Sequence, residues 1–577
     1  MHQPSGRISA EEIASKHQEW LASNGLRSTQ GSFYTPFDVV ERVIDLALGD
    51  SLNSVTSLDA LPKFLDPSCG TGNFLILVAR RLATRLSSVG LSYKKVIDCV
   101  VKDCLYGLDI DKTALQYCAE NLSGLTEGRV KPSELLSHLV EMDALQVELP
   151  INRGEPNQLT LFDGDREARW ADLFPSVFER ENPGFDVVIG NPPFLNQLAS
   201  ETSLDRAALA KIQSIYGDVI RKTTNPASIF FLLSMSITRR GGSISLVQPL
   251  SFLAVRDSSG VREVLAESVK SIWICIDQVF EASVSTVVVT VTPKVQQKQI
   301  ELFEGRAQRR VGQIDPFSAR DQTWSRAISC VKGFPTVRLD VKRTLSDICD
   351  VASDFRDQYY GLVGHVVEKN ILEDSDMKLA TVGLVNPAEF SWGRTSTKFA
   401  KETFTHPVVE TEGLTEKMRH WAESRKRPKV IVATQTRVLE CFVDCSGDVL
   451  PSVPLLSIFA LDDQLFRVAA VLTSPVASLV GAERHLGAGM SADVLKLSGQ
   501  DLLRLPLPQD EIAWGEAAEL LSVLQDEFEP KNRAEMLGRI GQLMNVAYHV
   551  KDESVFQWWW GRLPGLAPTR QVKPSTN

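Results

Sequence analysis

The sequence predicts an α/β fold built on a mainly parallel sheet, followed by a second region of α+β type. Short apolar segments alternate with helical segments from residue 60 to residue 275, which is typical of parallel strands joined by helices. Two apolar segments near its end, 271–277 and 284–291, follow each other closely and indicate an antiparallel edge strand. Several predicted strands end in an acidic or amide residue, and ligands bind at these ends in open α/β sheets.

The composition is typical of a globular protein, with 43% hydrophobic and 23% charged residues and a mean hydropathy of −0.06. A length of 577 residues predicts several domains. Since no apolar run reaches membrane-spanning length and no signal peptide begins the chain, we expect a cytoplasmic location and no membrane partner. The nine cysteines form no Cys-x-x-Cys pair, so we expect no metal site and no disulfide frame. The net charge of −10 requires any nucleic-acid-binding face to concentrate its basic residues locally.

Two amphipathic helices are predicted before the first strand. Residues 8–24 carry apolar residues at helical spacing behind a Ser-x-x-Glu capping box. The segment Tyr34-Thr35-Pro36 breaks this pattern, and residues 37–48 resume it with the proline near the helix start. The hydroxyl and the N–H groups of such a turn can bind an anion, or the turn can be an ordinary helix cap.

A strand, a glycine-containing turn and a helix follow at residues 63–83. The turn has the sequence Asp-Pro-Ser-Cys-Gly-Thr-Gly at 66–72, and such glycines let a ligand approach the backbone closely. Asp66 precedes Gly70 and Gly72, and its carboxylate would repel a pyrophosphate. The turn therefore indicates a ligand with an ammonium group, such as an amino-acid moiety.

Two more predicted strands end in acids. Asp109 ends the strand that begins at residue 104, a position from which a carboxylate accepts hydrogen bonds from ribose hydroxyls. Asp143 ends the following strand, where it could accept a hydrogen bond from an adenine amino group. Either acid alone can be an ordinary N-cap or turn residue. Because they follow Asp66 at successive strand ends, they indicate one binding edge.

The apolar strand at 185–190 runs into Asn191, Pro192, Pro193 and Phe194. Two prolines fix the backbone φ angles and lack N–H groups, so the turn is stiff and its carbonyls are free to accept hydrogen bonds. An amide side chain is thereby fixed at the carboxyl end of a strand. The alternative is a tight turn that only ends a core strand.

The C-terminal half has a different pattern, with short strands and Gly and Pro turns. We predict domain boundaries at 1–298, 299–344 (a connector), 345–510 and 511–577 (a helical region and tail). The third segment contains the most basic stretch of the chain, which is a candidate DNA-binding surface or else a solvated helix face. Its candidate DNA-binding residues are Lys417, Arg419, Arg425, Lys426, Arg427 and Lys429.

Taken in order, the motifs resemble those of gamma-class N6-adenine DNA methyltransferases, the TaqI-like family. The similar segments are 34–36, 66–72, 107–111, 142–143, 191–194 and 279–280. The resemblance implies a Rossmann-like domain that binds S-adenosylmethionine (SAM) and has a reversed last strand. It also implies a C-terminal target-recognition domain, double-stranded DNA as the substrate and N6 of a flipped-out adenine as the methyl acceptor.

The resemblance further implies a role for each residue of the binding edge. Thr35, Asp66, Gly70 and Gly72 would hold the methionine part of SAM, Asp109 would bind the ribose hydroxyls, Ile110 would pack on the adenine ring and Asp143 would bind its amino group. The Asn191 side-chain oxygen and the Pro192 carbonyl, in a turn stiffened by Pro193, would accept the hydrogens of the target amine, and Phe194 and Phe280 would stack on the base.

Other functions could use the same turn. A methyltransferase of RNA or of protein glutamine presents a planar amine or amide to be methylated, and a non-catalytic DNA-binding subunit would retain the fold. Cytosine N4 methylation usually places Ser where this chain has Asn191. We expect a role in a restriction-modification or phage-defence system. A separate restriction or defence subunit is a candidate partner, since the residues before Tyr34 are too few for a nuclease domain.

Overall fold

The computed structural model describes residues 35–565 except residues 50, 148–169, 195–209, 211, 215, 222, 276–284, 319–322, 355, 374 and 488–493. The chain divides into two compact units, Met1–Ala327 and Ile328–Asn577. The division falls within the segment 299–344, which the sequence predicts as a connector. The helix predicted at 8–24 lies outside the described residues.

The first unit is built on a nine-stranded sheet. Its strands are β1 Phe64–Asp66, β2 Leu105–Asp109, β3 Leu139–Glu141, β4 Phe185–Gly190, β5 Thr238–Pro249, β6 Val269–Cys275, β7 Thr286–Val291, β8 Ile300–Glu304 and β9 Arg309–Ile314. They lie in the order β3-β2-β1-β4-β5-β7-β6-β8-β9. The first five pair in parallel, whereas β7 is antiparallel to both β5 and β6. The predicted α/β fold with a reversed strand is therefore confirmed.

Two strands extend this sheet beyond residue 298, into the segment predicted as a connector. β8 pairs in parallel with β6, and β9 pairs antiparallel with β8. β9 has no fully buried residue, and β8 buries only Ile300 and Leu302. Because the periodicity of two exposed strands is weak, the sequence did not reveal them. The reversed strand β7 consequently lies inside the sheet and not at its edge.

β4 and β7 are buried almost continuously along their length, so both faces of the sheet are covered at these strands. The helices described up to the division between the units, the last of which crosses it, are α1 Phe37–Leu48, α2 Ser51–Ser54, α3 Asn73–Ser88, α4 Tyr93–Asp103, α5 Lys112–Leu125, α6 Pro132–Leu135, α7 Trp170–Leu173, α8 Pro175–Phe178, α9 Pro226–Ile237, α10 Ser259–Leu265 and α11 Ser325–Val331. The buried residues of α1, α3, α4 and α5 share one hydrophobic cluster with β1 and β2. This cluster fixes the strand ends that carry the candidate site.

The second unit contains short strands, as the sequence predicts for residues 345–510. They are β10 Cys349–Ser353, β11 Val366–Glu368, β12 Asp376–Ala380, β13 Val385–Asn386, β14 Glu389–Phe390, β15 Thr397–Phe399, β16 Glu402–Phe404, β17 Pro407–Glu410, β18 Lys429–Ala433, β19 Glu440–Asp444, β20 Val449–Pro451 and β21 Leu456–Ala460. Two four-stranded sheets form, with the orders β10-β21-β18-β19 and β11-β17-β12-β20. The pairs β13-β14 and β15-β16 are separate two-stranded sheets.

Helices complete the second unit, mostly after residue 460. They are α12 Arg356–Leu362, α13 Glu416–Arg425, α14 Leu465–Leu472, α15 Pro475–His485, α16 Gly499–Leu503, α17 Glu511–Leu524, α18 Pro530–Ala547 and α19 Glu553–Trp560. Trp559 of the Trp-rich segment is fully buried next to Gly541 of α18. In the described part of the chain no single helix has the length and hydropathy of a membrane span. The helices Asp462–Leu472 and Pro475–His485 are joined by a bend, and only their combined length and hydropathy reach those of a span.

Candidate active site

Three neighbouring parallel strands end at the same edge of the first sheet. β1 pairs with β2 on one side and with β4 on the other. β1 ends at Asp66, β2 ends at Asp109, and Asn191 follows the last residue of β4 directly. The fold thus brings together the ends of three strands that are far apart in sequence.

The turn after β1 has glycines where other residues would be strained. Gly70 and Gly72 have φ angles of 52° and 90°, in the left-handed region that favours glycine. A Cβ atom on Gly72 would also lie 2.5 Å from Cys118 Sγ. The Gly70 N–H donates a hydrogen bond to Asp109 Oδ2 at 2.8 Å, which connects the turn to the end of β2. α3 begins immediately after this turn.

Asp66 is a buried acid with no cationic partner among the described residues. Only 1% of its surface is exposed, and its Oδ1 accepts a hydrogen bond from the Ser68 N–H at 3.0 Å. Burial raises the pKa of Asp66 to about 8; the Ser68 hydrogen bond opposes this rise and the charge of Asp109 adds to it. A Cβ on Gly190 would lie 2.7 Å from Asp66 Oδ1, so glycine leaves room for the carboxyl group.

Asp109 holds the end of β2 with both carboxylate oxygens. Oδ1 accepts from the Asp111 N–H at 2.9 Å, and Oδ2 accepts from the Gly70 N–H. Burial raises the pKa of Asp109 above its usual value, and the hydrogen bonds from the Asp111 and Gly70 N–H groups oppose this rise only in part. The next side chain, Ile110, is 61% exposed, so an apolar surface is available beside this carboxylate.

Asp143 occupies the N-cap position of a short 3-10 helix, which is the structural role that the sequence allows for it beside ligand binding. Its Oδ1 accepts from the Leu145 N–H and its Oδ2 accepts from Gln146 Nε2, both at 3.0 Å. The side chain is partly exposed, and each carboxylate oxygen has room for further donors. Asp143 therefore has a structural role that does not exclude a ligand contact.

The Asn191 side chain has one bonded and one unbonded polar atom. Its Nδ2 donates a hydrogen bond to Thr35 Oγ1 at 3.0 Å. Its Oδ1 is buried and has no hydrogen-bond partner among the described residues. Thr35 is only 5% exposed, and α1 has no side-chain cap, so Thr35 does not act as an ordinary helix cap. The site thus contains a buried acceptor atom that no described group satisfies.

The rest of the Asn-Pro-Pro-Phe turn is anchored in the core. Pro192 is buried, whereas Pro193 and Phe194 are partly exposed. The Phe194 ring packs against the hydrophobic cluster of the first unit. Phe280 and Tyr34, which the sequence also singled out, lie outside the described residues.

Sequence reasoning missed Asn73, the first residue of α3. Asn73 Nδ2 donates to the Thr35 carbonyl at 3.5 Å, and Asn73 Oδ1 is buried with no partner in the described part of the chain. The only signal was its position directly after Gly72. Ser68 Oγ is likewise buried and unbonded among the described side chains. This edge therefore offers carboxyl, amide and hydroxyl oxygens, which suit a ligand rich in hydrogen-bond donors.

The basic stretch of the second unit is divided between core and surface. Lys429 on β18 is fully buried and forms an ion pair with Asp444. Arg425 at the end of α13 pairs with the buried carboxylate of Asp354 at 2.7 Å. This corrects the prediction that Lys429 and Arg425 contact DNA, because both side chains are engaged within the unit.

The other four basic residues of this stretch are exposed. Arg419 donates to the Glu412 carbonyl at 2.9 Å, and the Arg427 guanidinium lies 3.7 Å from the centre of the Phe459 ring. The four exposed residues are Lys417, Arg419, Lys426 and Arg427. They stay candidates for contacts with a nucleic acid.

The sheet combines parallel strands with one reversed strand, and polar side chains follow the ends of its central strands. Residues 103–280 match the family described as Eco57I restriction-modification methylase, and residues 17–125 match the N-6 DNA Methylase family. The N-terminal half of this chain thus matches models of N6-type DNA methyltransferase families, and at this coarser level the resemblance seen in the sequence is supported.

Two curated relatives carry the names of type II enzymes. The chain is 23% identical over 261 residues to the Type II restriction enzyme and methyltransferase RM.Eco57I of Escherichia coli, covering 41% of this chain and 24% of the relative. It is 23% identical over 263 residues to the Type II methyltransferase M.VspI of Vibrio sp. (strain 343), covering 45% of this chain and 46% of the relative. The matches thus span less than half of either relative.

Solved structures share the fold over most of the chain. The type IIL restriction-modification enzyme MmeI in complex with DNA has a TM-score of 0.60 at 12% identity, covering 97% of this chain and 82% of that one. A nuclease-deletion mutant of the type ISP restriction-modification enzyme LlaGI has a TM-score of 0.54 at 14% identity, covering 90% and 49%. At these identities the likeness is one of fold.

The raised pKa of Asp66 predicts a specific pH dependence of stability. Between the unfolded pKa of 3.8 and the folded pKa of about 8, the native state binds a proton that the unfolded state has lost. The Asp66 contribution to the free energy of unfolding therefore falls as pH rises through this window. We expect the stability gained by Asp66→Asn, relative to the wild type, to be larger at pH 8.5 than at pH 5.5 in thermal melts. A pH-independent difference would contradict a buried, neutral Asp66.

The buried ion pair of the second unit predicts that replacing its lysine, Lys429, strongly lowers the free energy of unfolding. Lys429→Met leaves the Asp444 carboxylate without its cation in the core, and we expect a destabilisation of about 3–5 kcal/mol in denaturant unfolding. The matched control is Lys417→Met, an exposed position in the same basic stretch, for which we expect a change within about 0.5 kcal/mol. Equal effects of the two substitutions would contradict the burial of Lys429.

Proposed function

We propose that this protein is a site-specific DNA methyltransferase that transfers a methyl group from SAM to N6 of a flipped-out adenine in double-stranded DNA. The observation that carries the proposal is Asn191 Oδ1, a buried hydrogen-bond acceptor without a partner among the described residues, at the end of β4. An exocyclic amine would supply the missing donor. The matches to N6-type DNA methylase families support the same chemistry.

The residues at the strand ends fit SAM as the cofactor. Asp66 is a buried carboxyl group with no cation among its described neighbours. The α-ammonium group of SAM would be the cation that pairs with it. Asp109 would accept hydrogen bonds from the ribose hydroxyls, Ile110 would pack on the adenine ring, and Asp143 would accept from its amino group. Gly70 and Gly72 allow the left-handed backbone of the turn after β1, and a Cβ on Gly70 would meet no atom within 4 Å, so open space lies beside this turn. When bound, SAM supplies an electrophilic methyl group.

The Asn-Pro-Pro turn would prepare the target amine. The lone pair of an exocyclic adenine nitrogen is conjugated into the ring, which makes this nitrogen a weak nucleophile. Asn191 Oδ1 and the Pro192 carbonyl would each accept one of its hydrogens and so favour a pyramidal nitrogen with an available lone pair. Pro192 and Pro193 would hold both acceptors in a fixed geometry, which limits the reorganisation that the reaction requires.

The adenine would have to leave the duplex to reach Asn191. Extrusion of a base costs a few kcal/mol, and stacking on an aromatic ring returns roughly 1–3 kcal/mol. Phe194, which is partly exposed beside Asn191, would stack on the base, and Phe280 is proposed for another side of it. The turn would thus bind the base and position its amine.

The second unit would supply target recognition. MmeI, whose structure was solved in complex with DNA, shares the fold over 97% of this chain. Lys417, Arg419, Lys426 and Arg427 are exposed and would contact phosphates. A restriction-modification or phage-defence role is also proposed, with a separate restriction or defence subunit as the partner, and the similarity to type II restriction and methyltransferase enzymes supports it.

The proposed role of Asn191 predicts that Asn191→Ala abolishes methyl transfer and preserves DNA binding. Loss of an acceptor that acts on the reacting nitrogen should lower kcat at least about 10²–10³-fold. The measurement is transfer of labelled methyl groups from SAM to duplex DNA, RNA and protein, with DNA binding followed separately.

Asn53→Ala, at an exposed position of α2 in the same unit, is the matched control and should keep wild-type activity. Single-molecule sequencing of the product would identify the modified base. Methylation of RNA or protein but not of DNA would refute the proposed substrate. Unchanged kcat in Asn191→Ala would refute the proposed role of the turn.

The state of Asp66 predicts proton release when SAM binds. At pH 7 the carboxyl group, with a pKa of about 8, is mostly protonated, and an ammonium ligand stabilises its charged form. Binding should therefore release part of a proton, and the affinity should rise as pH increases from 6 to 7.5. Calorimetric titrations in two buffers of different ionisation enthalpy measure this proton, and Asp66→Asn should abolish the release. Wild-type binding without proton release would exclude the Asp66 contact.

A further inference from the structure

The Thr35 hydroxyl group lies between the two turns of the candidate site. It accepts a hydrogen bond at 3.0 Å from Asn191 Nδ2, although 156 residues separate the two in sequence. Both partners are shielded from solvent, because Thr35 is 5% exposed and Asn191 is partly buried. Since the contact is buried and long-range, it constrains the Asn191 side chain in the folded protein.

A carboxamide can adopt two orientations that differ by rotation through 180° and exchange its oxygen and nitrogen positions. One orientation presents an acceptor to a ligand and the other presents a donor. An amine that donates hydrogens requires the acceptor. When Thr35 accepts from Nδ2, the amide nitrogen is occupied and Oδ1 is left as the buried atom without a described partner.

We infer that Thr35 is a positioning residue, whose hydroxyl oxygen accepts from Asn191 Nδ2 and so holds the carboxamide with Oδ1 directed to the target amine. This inference rests on the proposed function of the Asn-Pro-Pro turn. It gives Thr35 a role distinct from the methionine contact that the sequence predicts, because Thr35 acts through Asn191. Thr35 need not touch the substrate.

The backbone of Thr35 is itself fixed on two sides. Pro36 follows it and restricts Thr35 to extended conformations. Asn73 Nδ2 donates to the Thr35 carbonyl at 3.5 Å from the first residue of α3, directly after the glycine turn. A chain of contacts therefore joins the turn after β1, Thr35 and the turn after β4. The orientation of Asn191 depends on the same turn that would hold the cofactor.

The test compares Thr35→Val, which removes the hydroxyl group at nearly constant volume, with Thr35→Ser, which retains it. We expect kcat to fall about 10- to 100-fold in Thr35→Val, with the Kd for SAM within about threefold of the wild type. Thr35→Ser should recover most of the lost kcat. Thr56→Val, at an exposed loop position, is the matched control and should leave kcat unchanged.

Two results would overturn the inference. One is a loss of SAM affinity in Thr35→Val with normal kcat at saturating SAM, which would make Thr35 a cofactor contact only. The other is an equal loss in Thr35→Val and Thr35→Ser, which would exclude the hydroxyl group as the cause.

A double-mutant cycle of melting temperatures tests the contact independently of activity. If Thr35 and Asn191 are bonded, the Tm decreases of Thr35→Val and Asn191→Ala are not additive, whereas additive decreases would overturn the inference.

If the wild type methylates RNA or protein and not DNA, the proposed substrate is wrong. In that case kcat of the Thr35 variants on the true substrate still decides the positioning role.

Discussion

The burial of Asp66 without a cation is the constraint on which the candidate site depends. An isolated carboxylate in the protein interior is strongly disfavoured, so the folded protein favours the neutral acid, as a pKa of about 8 indicates. Gly190 leaves room for this carboxyl group, since a Cβ at that position would lie 2.7 Å from Asp66 Oδ1. The arrangement costs stability, and a bound cation would offset this cost.

Two amide oxygens at this edge of the sheet are also buried without a described hydrogen-bond partner. Asn191 Oδ1 and Asn73 Oδ1 are buried without partners among the described residues, although buried polar atoms are normally hydrogen-bonded. In each case the amide nitrogen of the same side chain is bonded, to the hydroxyl or the carbonyl oxygen of Thr35. The nitrogens are thus satisfied within the protein and the oxygens are not. The atoms left without a partner at this edge are therefore acceptors, which suits a ligand that donates hydrogen bonds.

The fold and the strand-end residues were predictable because each depends on contiguous sequence. The strand ending in Asp66 and the turn at Asn191 are read from a few neighbouring residues, and the parallel topology then requires them to meet. The contact between Thr35 and Asn191 was not predictable, since it depends on the packing of α1 beside β4. Lys429 was misread for a related reason: its partner, Asp444, lies on the neighbouring strand β19, which the sequence did not place beside it.

The charge distribution of the second unit restricts how it could bind a polyanion. Many of its basic residues are already paired with acids, including Lys369 with Asp376, Lys378 with Asp448 and Arg394 with Glu389. A paired cation contributes little to the attraction of phosphates, because its partner cancels most of its field at a distance. In a chain of net charge −10, phosphate contacts would therefore depend on local groups of cations that are not paired with acids, such as those around α13. Phosphate contacts carry no sequence information, so selectivity would have to come from shape and base contacts.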